Sequence, residues 1–277
     1  MGEIDLYDRH PINAAQILDT VRAEGKDTGR LRPGDLRPHD QDHYGGVEVV
    51  HQLADAAGIG EGDVVADVCA GMGGPARLIA ETRRTRLVIG LDYNWSRCSG
   101  AARLNDMVGM AERVAMVRCD AQALPLGEGS LDAAVSQEAL LHIPDKRRVL
   151  DGVFHALKPG GRFVFTDVIA AGGLSDDERR HLAEDGMQMV SLQSADEYRT
   201  MASAAGFAIV RSDDLSDDWK AILTERLEMY RRMEAATEKV HGADAHRRYM
   251  DPYAFFVGLV QQGRLGGIRM VLERPVI

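Results

Sequence analysis

From Val64 to Ile169 the apolar positions fall into a two-part rhythm. Short, nearly continuous apolar runs alternate with stretches in which apolar residues recur every three or four positions. The first kind predicts strands buried on both faces, the second helices with one apolar stripe. Strands are predicted at 64–70 (VVADVCA), 87–92 (LVIGLD), 114–120 (VAMVRCD), 131–138 (LDAAVSQE) and 162–169 (RFVFTDVI). Helices are predicted between them at 76–83, after 95, and at 145–158, the last stopped by Pro159-Gly160-Gly161. Strands alternating with helices imply right-handed crossovers and an α/β fold with a parallel sheet covered on both sides.

Beyond Ile169 the rhythm changes. SDDERRHLAEDGMQMV predicts a helix capped by Ser175, and SADEYRTMASAAG another. FAIVRSDDL reads as a strand, a charged helix runs from Ser216 to about Lys239, and GGIRMVLERP closes the chain as a last strand. The first 45 residues differ again, with two helical pieces and a Pro-, Gly- and charge-rich link, GRLRPGDLRPHDQDHYGG. The expected organisation is an N-terminal lid (1–45), a core (46–170), and inserted cap helices with sheet-completing strands (171–277).

Composition narrows the function without naming it. The 277 residues suit one large domain or a domain with a cap. With 33 basic and 43 acidic residues the net charge is −10, which disfavours a nucleic-acid partner. No apolar run reaches the roughly 18 residues of a membrane span, and MGEIDLYDRH lacks the basic and apolar regions of a signal peptide. Cys69, Cys98 and Cys119 are odd in number and lack metal-ligand spacing, so neither a disulfide framework nor a metal is expected, and the cytoplasm is the expected compartment.

Candidate chemistry collects where predicted strands end. Open parallel sheets bind ligands at the carboxyl ends of their strands. After the first strand, Asp67 leads into CAGMGG, where Gly71, Gly73 and Gly74 permit tight backbone angles. Asp92 ends the second strand, placed to accept ribose hydroxyls, and Asp120 with Ala121 ends the third, placed for an adenine edge. Each carboxylate alone also reads as a turn or helix cap; three in register behind a glycine loop read as a nucleoside site. The dinucleotide pattern G-x-G-x-x-G is not met, since Ala76 and Arg77 stand where its third glycine belongs. The spacing fits D-x-G-x-G-x-G instead, with Cys69 in the place of the first glycine.

On these residues the chain resembles the class I S-adenosylmethionine-dependent methyltransferases, which have a Rossmann-like sheet. Within that group DQDHYGG, GMGGPARLIA and SQEALLHIPDK resemble the sarcosine/dimethylglycine and phosphoethanolamine N-methyltransferases. The resemblance implies S-adenosylmethionine as cofactor, held by Asp67, Cys69, Gly71, Gly73, Asp92, Tyr93, Asp120, Ala121 and Gln137. It implies His142 as a catalytic group partnered by a lid tyrosine, for which Tyr44 and Tyr7 both qualify. His142 otherwise reads as a packed histidine held by Asp145. Glu138 is a candidate partner for an ammonium, or a solvated loop charge. Tyr249, Tyr253, Phe255 and Phe256 would roof an acceptor pocket or form a helix face. The expected activity is methyl transfer to a small molecule, foremost at an amine nitrogen by in-line displacement. Carbon or oxygen methylation, and cofactor binding without catalysis, are the alternatives.

Overall fold

The computed structural model describes residues 12–41, 43–184, 187–234 and 243–276. Three helices, α1 (Ala14–Ala23), α2 (Pro33–Leu36) and α3 (Gly46–Ala56), precede β1 (Val64–Val68). Then follow α4 (Gly74–Arg83), β2 (Leu87–Asp92), α5 (Trp95–Met107), β3 (Val114–Arg118) and β4 (Leu131–Gln137). Next come α6 (Lys146–Ala156), β5 (Leu157–Ala170), α7 (Asp176–Glu184), α8 (Ala195–Ala204) and β6 (Ala208–Asp214). The chain ends with α9 (Ser216–Arg232), α10 (Ala243–Gln261) and β7 (Leu265–Glu273).

The seven strands form one sheet in the order β3-β2-β1-β4-β5-β7-β6. The first five are parallel, and β7 runs antiparallel between β5 and β6. The chain leaves β1 towards β2 on one side and returns to β4 on the other. The carboxyl ends of β1 and β4 therefore flank the crevice at which such sheets bind ligands.

Every residue of β1 is buried, as its unbroken apolar run predicts. Val65 packs with α3, α4 and α5 on one face, whereas Val64, Ala66 and Val68 pack with α6 and α8 on the other. A third cluster joins Trp219 and Leu223 of α9, Tyr253 and Phe256 of α10, Leu141 in the turn after β4, and Val168 of β5. Tyr253 and Phe256 are thus a buried helix face, one of the two expectations for that cluster. Ser175 caps α7 reciprocally with Glu178, as expected.

One boundary differs from expectation. The helix predicted to run through Lys158 ends at Ala156, and Pro159-Gly160-Gly161 lies inside β5. The pairing register jumps there, from Leu131–Leu157 to Ala133–Arg162, so the extra residues form an irregularity that Gly160, at φ +83°, accommodates. Among the described residues no helix is long and apolar enough to cross a membrane.

The link between α2 and α3 is bolted to the sheet. Arg77 of α4 is buried and donates to Asp40, at 3.3 Å from Nε and 3.0 Å from Nη2. The same guanidinium reaches the Met72 carbonyl (2.7 Å) and Asn105 Oδ1 (2.8 Å). Asp40→Ala strands a buried cation and should lower stability by on the order of 3 kcal/mol, read as a shift in the urea midpoint.

Candidate active site

The turn leaving β1 bends through left-handed backbone at Cys69 (φ +64°), Gly71 (φ +53°) and Gly73 (φ +72°). Glycines are expected at such angles; Cys69 is the exception, a side chain held where L-residues are strained. The glycines do different work. A Cβ on Gly74 would fall 2.0 Å from the Asp40 carbonyl oxygen, so the close approach there is made by the chain's own link. A Cβ on Gly73 would face Arg77 and Ala101 inside the molecule. Gly71, beside Arg97, lies on the crevice wall.

The carboxylates predicted at the strand ends meet at that crevice. Asp92 accepts the backbone N–H of Gly71 at 2.8 Å and of Asn94 at 2.9 Å, fixing the glycine turn to the end of β2. Burial raises its pKa against those two bonds. Asp67 is 3% exposed, and burial, reinforced by nearby Asp92, pushes it from 3.8 to about 7. Asp120 accepts from Gln122 N at 2.9 Å and so caps the short turn Ala121–Ala123. Tyr93, Ala121 and Gln137 also line the crevice. Gly73 is not among the lining residues, and its contribution is the turn itself.

The wall beyond β4 carries the candidate catalytic groups. Glu138, at φ +43°, is no solvated loop charge. It accepts from Thr166 Oγ1 at 2.6 Å and from the Tyr44 backbone N–H at 2.9 Å, and burial lifts its pKa from 4.5 to about 7. His142 lines the crevice and donates from Nδ1 to the Gln188 carbonyl at 2.8 Å. Burial lowers it from 6.5 to about 4, so the ring is neutral at neutral pH. Asp145 does not hold His142; its side chain caps α6 through Arg148 N at 3.2 Å.

Tyr44 packs edge-on against Trp219, ring centres 4.9 Å apart, with the Arg226 guanidinium 5.2 Å from its own ring centre. Burial pushes its phenol well above the ordinary value, so it stays protonated. Tyr7 lies outside the described residues. Sequence reasoning did not single out Asp40 or Arg97, which also line the crevice. Neither carries a periodic or motif signal: Asp40 is one charge in a charged link, and Arg97 is a buried cation in an otherwise ordinary helix start. The thiols are no nucleophiles, since burial raises all three, Cys98 to about 12 and Cys119 to about 11.

Known proteins resemble the chain in sequence and fold. Residues 66–165 match the family model described as a methyltransferase domain. A dimethylglycine N-methyltransferase from Parasynechococcus marenigrum is 29% identical over 231 residues, covering 82% of this chain and 80% of the relative. A sterol 24-C-methyltransferase from Aspergillus fumigatus is 32% identical over 177 residues, covering 62% of this chain and 47% of the relative. The chain thus spans about half the length of the sterol methyltransferases it matches. A Haemonchus contortus phosphoethanolamine N-methyltransferase, in complex with phosphomonomethylethanolamine and S-adenosylhomocysteine, superposes with a TM-score of 0.77 at 19% identity, covering 98% of this chain and 60% of that one. The methyltransferase resemblance read from the sequence is borne out, and the fold is the class I Rossmann-like one.

The crevice fits S-adenosylmethionine on the structure's own terms. Asp67 Oδ2 and Gln137 Nε2 are buried on its wall with no hydrogen-bond partner among the described residues, an acceptor and a donor whose burial a polar ligand would compensate. Among the described residues no group of His, Cys, Asp and Glu is arranged to hold a metal ion.

Two outcomes follow from this geometry. Cys69→Val should cost about 1–3 kcal/mol in denaturant unfolding, because a β-branched residue resists positive φ, whereas Cys69→Gly should be near neutral. Glu138 holds its proton more tightly folded than unfolded, so its contribution to stability falls as pH rises from 4.5 to about 7. Glu138→Gln should flatten that fall, measured as urea midpoints at the two ends of the range.

Proposed function

We propose that this chain is an S-adenosylmethionine-dependent methyltransferase acting on a small molecule, at an amine nitrogen, by direct in-line displacement. The observation carrying the amine reading is Glu138, a buried carboxyl that titrates near neutrality. It lines the crevice and accepts the Tyr44 backbone N–H. Such a carboxyl suits an ammonium, whose charge the ionised form stabilises. The dimethylglycine relative, covered over most of its length, supports the same acceptor class. The sterol relative, of which the chain spans about half, is a carbon methyltransferase and carries the second reading of the site.

In this reading Asp92 takes the ribose hydroxyls on the lone pairs its backbone bonds leave over, and Asp120 with Ala121 meets the adenine edge. Asp67 and Gln137 meet the amino-acid tail on either side of the turn at Cys69 and Gly71, with Tyr93 beside the ribose. When bound, the cofactor supplies a methyl group on a sulfonium, ready for displacement. The chain supplies position, a dry surrounding and a place for the proton. Glu138 balances the charge of an arriving ammonium. Neutral His142 accepts a hydrogen bond from the amine and aligns its lone pair, with the Tyr44 phenol completing the lid side. Residues 1–45 serve as the lid, 46–170 hold the cofactor, and 171–277 cap the acceptor.

The test is turnover of S-adenosylmethionine with a metabolite extract spiked with small amines, read by mass spectrometry. A methylated amine is the expected product; a methylated sterol-like or hydroxyl compound instead would sink the nitrogen assignment. Asp92→Ala should abolish measurable cofactor binding in calorimetry. His142→Ala should leave cofactor binding intact and lower kcat ~100-fold.

A further inference from the structure

Gln188 lies in the non-helical segment between α7 and α8, 46 residues from His142 in sequence. Its backbone is left-handed, at φ +48°. A glutamine in that region is strained and persists only where its surroundings over-determine it. Those surroundings are the turn Leu140–His142 and its neighbours. Gln188 O accepts from His142 Nδ1 at 2.8 Å, and Ser191 N donates to Leu141 O at 3.2 Å. The buried Lys146 ammonium bonds both Ser191 O and Ile143 O. Met189 N donates to Leu182 O at 3.0 Å, holding the segment to the end of α7.

The turn is held from behind as well. Asp167 of β5, fully buried, accepts Leu141 N at 3.3 Å and the Tyr198 hydroxyl. With the turn backbone fixed on both sides, what remains to be set at His142 is which nitrogen carries the proton. A carbonyl can only accept, so Nδ1 is the protonated nitrogen and Nε2 the basic one. The side-chain oxygen of Gln188 is buried and makes no hydrogen bond among the described residues, and the bond to His142 comes from its backbone carbonyl.

We infer that Gln188 is a positioning residue for His142: its strained backbone turns a cap carbonyl onto Nδ1 and fixes the tautomer whose basic nitrogen is Nε2. The inference rests on the proposed role of His142 at the acceptor nitrogen only for its effect on turnover. It makes the cap a working part of the site, because the segment around Gln188 supplies the carbonyl that holds the proton on Nδ1 of His142.

Two substitutions that delete the same side chain separate backbone from side chain. Gln188→Gly keeps positive φ available, whereas Gln188→Pro forces φ to about −65° and swings the carbonyl away. Gln188→Val keeps the N–H but disfavours positive φ; it carries the test if the proline variant fails to fold. The readout is the tautomer of His142 in ¹⁵N-histidine-labelled full-length protein, its signal assigned by loss in His142→Gln. The wild type and Gln188→Gly should both show Nδ1 protonated and Nε2 bare; Gln188→Pro or Gln188→Val should lose that fixed pattern. An unchanged tautomer in the proline and valine variants, or its loss in the glycine variant, would overturn the inference. With the acceptor identified by the turnover screen, Gln188→Pro should also lower kcat ~10-fold at unchanged cofactor affinity. A changed tautomer at unchanged kcat would uphold the positioning and refute the proposed work of His142.

Discussion

Arg77 spends one guanidinium on three parts of the molecule at once: Asp40 in the N-terminal link, the Met72 carbonyl in the glycine turn, and Asn105 in α5. Asn105 in turn donates to the Val114 carbonyl at the start of β3. A cation buried this deeply is tolerable only when its donors are satisfied, so the link has to run over the turn rather than beside it. That path brings the Asp40 backbone onto Gly74, where any Cβ would collide with it. Three residues on, His43 reaches the crevice, and the Tyr44 N–H reaches Glu138. The roof of the site is thus a consequence of how one arginine is neutralised underneath it.

Around that crevice the ionisable groups share a single bias. Asp67 and Glu138 rise to about 7 and Asp167 to about 6, whereas His142 falls to about 4 and Lys146 to about 8. Burial is the leading cause in each case, outweighing hydrogen bonds and neighbouring charges, so the site leans towards neutrality. The backbone is strained in the same place: Cys69, Glu138 and Gln188 are three of the four non-glycine residues with positive φ among those described. Desolvated acids and left-handed side chains are both costs to folding, and their gathering at one crevice marks where the fold gives up stability for function.

Much of this architecture was readable from the sequence. A parallel sheet buries both faces, so its strands appear as unbroken apolar runs, and the ends of β1, β2 and β3 could be placed from Asp67, Asp92 and Asp120. What could not be read are contacts between segments far apart in the chain. Arg77 and Asp40 are 37 residues apart, His142 and Gln188 are 46 apart, and Tyr44 and Glu138 are 94 apart. None of these pairs leaves a periodic trace. Glu138 looked equally suited to solvent because nothing local announces the Thr166 hydroxyl and Tyr44 amide that bury it. Pro159-Gly160-Gly161 looked like a helix stop because the irregularity it forms depends on pairing with β4, which composition does not encode.

The same electrostatics bear on which acceptor the site would favour. A neutral, greasy acceptor would leave Glu138 buried and protonated, its desolvation cost unrelieved. A cationic ligand changes that balance. A positive charge within a few ångströms favours the ionised carboxyl, so part of the burial penalty on Glu138 returns as binding energy. The sulfonium of the proposed cofactor would act in the same sense on Asp67. In the proposed reaction the ammonium would pass its proton to the Glu138 carboxylate, the attraction would lapse, and neutral His142 would hold the amine in line by a hydrogen bond. On the proposed amine reading, a site whose acids are poised near neutrality and whose histidine is poised well below it would separate two tasks, drawing in a cation with one group and aligning a neutral amine with another.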